Sequence, residues 1–167
     1  MTLVSVLEAL QKLPVSAAVR GSLPHTEWVF PIIETIHVLG LTVVFGSIAM
    51  VDVRLVRGTS SGQRLSRLAA ETLPWTWSAW TLAALSGFAM FASRAVTYAG
   101  NFDFRMKFVC MGLAAVNMLI FHFGPYRNVQ QWETRAMPPP SARLAGGLSI
   151  GLWTAVIFFG RWVGFTT

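Results

Sequence analysis

The run WVFPIIETIHVLGLTVVFGSIAM, residues 28–50, is apolar throughout except for one acid, Glu34, one histidine, His37, and a few small hydroxyl residues. Its length is close to the roughly 20 residues that a helix needs to cross a hydrocarbon core. Three further runs of similar length and character follow, at 75–98, 104–123 and 144–165. Aromatic residues sit at the ends of these runs, at Trp28, Trp75, Trp77, Tyr98, Tyr126 and Trp162, as interfacial belts do. In lipid a backbone satisfies itself only in helices or closed barrels, and none of the four runs alternates with period two. The expected fold is therefore all-α: a polytopic membrane protein whose single integral domain, 1–167, is a four-transmembrane-helix bundle.

Composition agrees. The 167 residues are 54% hydrophobic and 12% charged, against roughly 25% charged in ordinary soluble domains. The partner these numbers imply is the lipid bilayer. A net charge of +6 does not signal nucleic acid, because the basic residues lie between apolar runs and form no stripe interleaved with exposed aromatics. The one cysteine, Cys110, lies inside an apolar run and gives neither a disulfide framework nor a thiolate metal cluster.

Residues 1–22 read differently. Leu3, Val6, Leu7, Leu10 and Leu13 recur at helical spacing with Ser5, Glu8 and Gln11 between them, which predicts a short amphipathic helix lying on the membrane surface. No compact basic start or small-residue cleavage site gives it the form of a secretory signal. Pro24 and Pro31 mark the entry to the first span. The connection 51–74 carries Arg54, Arg57, Arg64 and Arg67, and the connection 124–142 carries Arg127 and Arg135, with Arg143 just beyond. The opposite side holds Lys12, Arg20, Arg94, Arg105, Lys107 and Arg161, most of them at or inside span ends, so the first set predicts the cytoplasmic side. Both termini are then expected in the periplasm. Pro138, Pro139 and Pro140 form a stiff break before the fourth span. Small residues at four-residue intervals, Ala79, Ala83 and Gly87 in the second span and Gly147, Gly151 and Ala155 in the fourth, predict close helix approach, within the bundle or at a dimer face.

Ionisable groups inside lipid cost a few kcal/mol, so those that persist face a partner, a guest or water. Glu34 and His37 stand one turn apart on one face, with Asp52 at the far end of the same helix. A carboxylate beside an imidazole suits a ligating histidine, a proton relay, or a buried polar pair tied to a cation. Arg94, Lys107 and Arg161 fall toward the same outer end, where they would balance Glu34 or hold an anionic group such as haem propionates; for Arg94 and Arg161, snorkelling to headgroups is the plainer reading. His122 invites pairing with His37 as axial ligands of a b-type haem, but depth argues otherwise. His37 lies roughly 22 Å before Asp52 and His122 only roughly 7 Å before Arg127, on helices that run in the same direction. His37 alone, or with Met90 or Met111, remains a haem ligand set, and His37, Met90, Met111 and Cys110 would suit copper(I). His37 is thus the metal-ligating candidate. His25 lies outside the first span and reads as solvated. Asn117 can hydrogen-bond across the bundle. No nucleophile elbow, phosphate-binding glycine loop or zinc-protease helix is present, so a non-catalytic subunit is expected rather than an enzyme with its own covalent chemistry.

Several of these residues form a pattern: PIIETIHVLG at 31–40 with Asp52-Val53-Arg54-Leu55, Leu73-Pro74-Trp75-Thr76-Trp77, Asn117 followed by Phe121-His122, Ala142-Arg143-Leu144, and Gly160-Arg161-Trp162. Together they resemble a family of small four-helix bacterial inner-membrane proteins known as a domain of unknown function. The resemblance implies an inner-membrane location and places Glu34, His37, His122 and Arg161 at motif positions; Met90 and Met111 are not among them. The functional expectation is a redox or anchor module that holds haem b or a quinone in the outer half of the bundle, serving other membrane or periplasmic subunits. The alternatives are a metal-ion or proton transport or resistance protein, and a structural subunit of a larger complex.

Overall fold

The computed structural model describes residues 2–58 and 64–167. Every regular element among them is helical: α1 (Leu3–Gln11), α2 (Pro14–Val19), α3 (Val29–Arg57), α4 (Leu65–Ser93), α5 (Ala95–Gly100), α6 (Phe102–Phe123), a 3-10 turn (Pro125–Asn128), α7 (Val129–Trp132) and α8 (Pro140–Thr166). Three helices are long and apolar enough to cross a membrane: Val29–Arg57, the continuous stretch Phe102–Trp132, and Pro140–Thr166. The expected second span lies in α4, which at 29 residues is as long as α3 but is not one of the three. Thr72, Thr76, Ser78, Thr81 and Ser86, with Trp75, Trp77 and Trp80, dilute its apolar character.

The elements depart from the expected boundaries where local chemistry allows it. The connection 51–74 is largely helix: α3 runs on to Arg57, and α4 starts at Leu65 and continues through Pro74. Leu65, Leu68, Ala69 and Thr72 turn inward while Arg67, Ala70 and Glu71 turn out, so the segment is amphipathic and gains enough by packing to carry a proline. Residues 59–63 of that connection lie outside the described residues. The second span, expected to reach Tyr98, ends at Ser93, where Arg94 breaks the helix at φ −141° and ψ 48°. The Arg20 guanidinium donates to the Ser93 carbonyl at 3.0 Å, satisfying an acceptor that the break exposes. The N-terminal segment forms two helices instead of one, because Pro14 opens a second at its first position. Leu3, Val4, Val6, Leu13 and Val15 remain exposed, in keeping with a surface helix. The connection 124–142 contains the 3-10 turn and α7.

α3 packs along α4 and against α8, and α8 packs along α6. α4 and α6 share no comparable seam; the stacked rings of Phe91 and Phe104, 5.4 Å apart, join them at one end. Outside a cluster of larger side chains at one end, the seams between the long helices are made mostly of small residues. Ala79, Ala83, Ser86, Ala114, Ala142, Ala145 and Ser47 are buried, while large side chains such as Leu85, Phe88, Val109, Leu113, Ile120 and Phe158 face outward. This inverts the distribution of a water-soluble protein and matches helices that pack by close approach in lipid. Gly40 shows how close: a Cβ there would come within 3.2 Å of the Ala79 carbonyl and 3.3 Å of the Ala83 Cβ. The second-span small residues thus pack inside the bundle, as expected. In the fourth, Ala142, Ala145 and Gly146 do so, and Gly147 and Gly151 face outward with open space around them. The expected register is off by one residue because the α8 face that meets α3 is set by Gly146, where a Cβ would lie 3.0 Å from the Asp52 carbonyl oxygen.

Candidate functional site

One face of α3 sets the geometry. Glu34, His37, Gly40, Val44 and Ser47 recur every three or four residues, and each of those with a resolved neighbour meets α4 or the segment just after it. Ser47 and Thr76 are joined at 2.7 Å, Gly40 rests on Ala79 and Ala83, and the His37 ring lies against Gly87. A Cβ at Gly87 would come within 2.8 Å of His37 Cε1, so the glycine makes room for the imidazole. His37 Nδ1 lies 2.8 Å from the Ala83 carbonyl oxygen and 3.2 Å from Ser86 Oγ. A carbonyl can only accept, so Nδ1 carries the hydrogen when it makes this bond. In the neutral ring Nε2 then keeps its lone pair, and among the described residues it has no hydrogen-bond partner.

Lys107, on α6, runs its stem along Gly160 of α8; a Cβ on that glycine would meet Lys107 Cδ, Cε and Nζ at 3.5 to 3.6 Å. Its charge acts electrostatically on the His37 ring. His37 and Lys107 belong to different helix pairs, α3 with α4 and α6 with α8. Among the described residues neither has an ion-pair partner.

The other predicted residues fall elsewhere. Glu34, one turn from His37, acts electrostatically on Tyr98, as does Arg94 with the opposite sign. Arg94 is exposed at the helix break. Arg161 is also exposed, its guanidinium carbon 5.3 Å from the centre of the Phe165 ring on its own helix. Among the described residues no ion pair joins Glu34 to Lys107 or Arg161. His122 is exposed at the opposite end, stacked on Tyr126 at 5.3 Å, beside the cluster containing Leu55. Leu55 is eighteen residues beyond His37 on α3, roughly 27 Å along the helix, so one guest cannot touch both histidines. His25 is exposed with φ 61°. No group of three or more His, Cys, Asp or Glu among the described residues is placed to hold a metal. Asn117 donates to the Ala145 carbonyl at 2.9 Å and joins α6 to α8.

Sequence reasoning missed the Ala83 carbonyl, Ser86 and Tyr98 as neighbours of the acid and imidazole. Gly87 was visible as a member of a small-residue stripe, though its role beneath the imidazole was not. Asp52 was seen as a helix end; it is instead 7% exposed in the α3–α8 seam, hydrogen-bonded to Ser149, with Oδ2 lacking a partner among the described residues.

These features define an all-helical protein with three helices long and apolar enough to cross a membrane. No family model matches the chain, and neither the curated proteins nor the solved structures contain a significant match.

Proposed function

We propose that the protein is a four-span inner-membrane module that holds a quinone between His37 and Lys107, α4 completing the bundle as the fourth span. The carrying observation is the hydrogen bond from His37 Nδ1–H to the Ala83 carbonyl, which leaves Nε2 as a free acceptor on a ring that the Lys107 charge acts on. An imidazole acceptor and an ammonium donor complement a quinol hydroxyl and a quinone carbonyl respectively. When bound, a quinone would supply two-electron redox chemistry; the chain's part is to orient it, to accept a proton at Nε2 and to donate a hydrogen bond from Lys107. The arginine-rich connections support an orientation with both termini in the periplasm, which puts this pair in the outer leaflet. The motif residues that resemble small bacterial inner-membrane proteins support the same location.

Haem b is the second reading, favoured by the same anchored Nδ1–H, an arrangement that orients an axial imidazole. Titration of the purified protein with a short-chain ubiquinone, followed by tryptophan fluorescence, tests the first. Saturable binding is expected, weakened about tenfold or more by His37→Ala or Lys107→Ala. Absence of binding, in protein that also lacks a Soret band after expression with adequate haem, would remove both readings.

A further inference from the structure

At the arginine-rich end, on the outside of the bundle, a groove of about 440 Å³ runs between the last turn of α3 and the first turns of α8, lined by Val56, Pro140, Arg143, Leu144, Gly147 and Leu148. We infer that it seats one anionic phospholipid, with the phosphate on Arg143 and an acyl chain along Val56, Leu144, Gly147 and Leu148. This goes beyond the quinone reading and does not depend on it.

Depth and chemistry order the groove in the way such a lipid requires. From Pro140 to Leu148 it descends roughly 12 Å along a helix long and apolar enough to cross the membrane. Arg143 is exposed in its first turn, and below it the lining is aliphatic. Gly147 forms an open floor: nothing lies within 4 Å of where its Cβ would be. Arg143 is the one charged residue of the lining, so a phosphate there meets no opposing carboxylate.

The surroundings share its sign. Arg54, Arg57, Arg64, Arg67, Arg127 and Arg135 belong to the same end. Of the acids there, Glu71 pairs with Arg67 at 2.8 Å, Glu133 accepts from Ser66 and Asp52 is buried. Basic pockets between spanning helices on the cytoplasmic side are suited to anionic headgroups. A second copy of the chain is a poorer occupant, because a symmetric contact across this groove would bring Arg143 against its own mate.

Native mass spectrometry of the full chain, in micelles supplied with equal palmitoyl-oleoyl phosphatidylglycerol and phosphatidylcholine, tests the assignment. One phosphatidylglycerol is expected to be retained in preference to phosphatidylcholine. Arg143→Gln should reduce that preference about fivefold. Gly147→Leu, which fills the floor and keeps the charge, should lower retention of either lipid. Both positions are exposed, so neither change disturbs the interior. Equal retention of the two lipids by the unaltered chain, or unchanged retention in both variants, would overturn the proposal. So would a dimer that Gly147→Leu dissociates while lipid retention stays the same.

Discussion

At the end where Leu55, Leu65, Val129, Trp132 and Ala142 meet, four separate elements contribute apolar side chains to one cluster, and its polar neighbours are paired. Trp132 Nε1 donates to the Pro125 carbonyl at 3.0 Å, and Glu133 accepts from the Ser66 hydroxyl at 2.7 Å and the Ser66 backbone N–H at 3.1 Å. Away from that cluster, His37 on α3 and Lys107 on α6 keep bonding capacity left over, and the lysine charge acts on the imidazole. The first region ties together the connections of a chain whose long helices otherwise meet through small residues; the second leaves polar atoms available. Where buried polar groups such as the Trp132 indole and the Glu133 carboxylate are paired the arrangement serves stability; the unpartnered His37 Nε2 and Lys107 ammonium are the atoms on which the proposed guest rests.

The largest effect should come from attacking the satisfied end. Trp132→Ala is expected to cost about 3–5 kcal/mol, seen as a lowered Tm in detergent micelles. Trp75→Ala, at a residue 70% exposed, should change Tm little. Equal losses at both tryptophans would erase the distinction between an anchored cluster and a lipid-facing belt.

A smaller effect is expected at the other end. Gly87→Ala places a methyl 2.8 Å from His37 Cε1, and the displaced ring should cost about 1–3 kcal/mol. Its sharper readout is nitrogen NMR of the imidazole. The unaltered chain should show Nδ1 protonated and Nε2 bare, and the variant should lose that tautomeric preference. A spectrum unchanged by the substitution would mean that α4 does not hold the ring.

The mildest test is one of pH. Hydrogen bonds from Ser66, with the Arg64 charge adding to them, hold the Glu133 carboxyl below the usual carboxylate range against the opposing effect of burial. Because the folded value is depressed, its contribution is fully present above the unfolded value of about 4.3 and disappears as pH falls through the folded value. Glu133→Gln should therefore lose about 1–2 kcal/mol at neutral pH and flatten the dependence of Tm on acid, with little difference from the unaltered chain at the lowest pH. A parallel acid profile in the variant would show that Glu133 does not supply this linkage.

Much of the helix content could be read from the residues themselves. Apolar runs of spanning length announce helices whatever their partners, and three of the expected spans lie in helices that can cross a membrane. Glu34 and His37 were legible as a pair because helical spacing is local. Their surroundings were not: the Ala83 carbonyl and Ser86 that meet the imidazole, and the Gly87 that makes room for it, depend on how α3 and α4 pack.

The sequence by itself determined the helical backbone, its preference for an apolar surround, and which helix faces carry charge, since each follows from composition and a period of 3.6 residues. The tertiary structure decided that Gly146 rather than Gly147 packs inward, that Asp52 is buried, and which cation accompanies His37. Such choices depend on the rotation and register of one helix against another, and these are fixed by fractions of an ångström at Gly40, Gly87 and Gly146, where the backbones have no room for a methyl group.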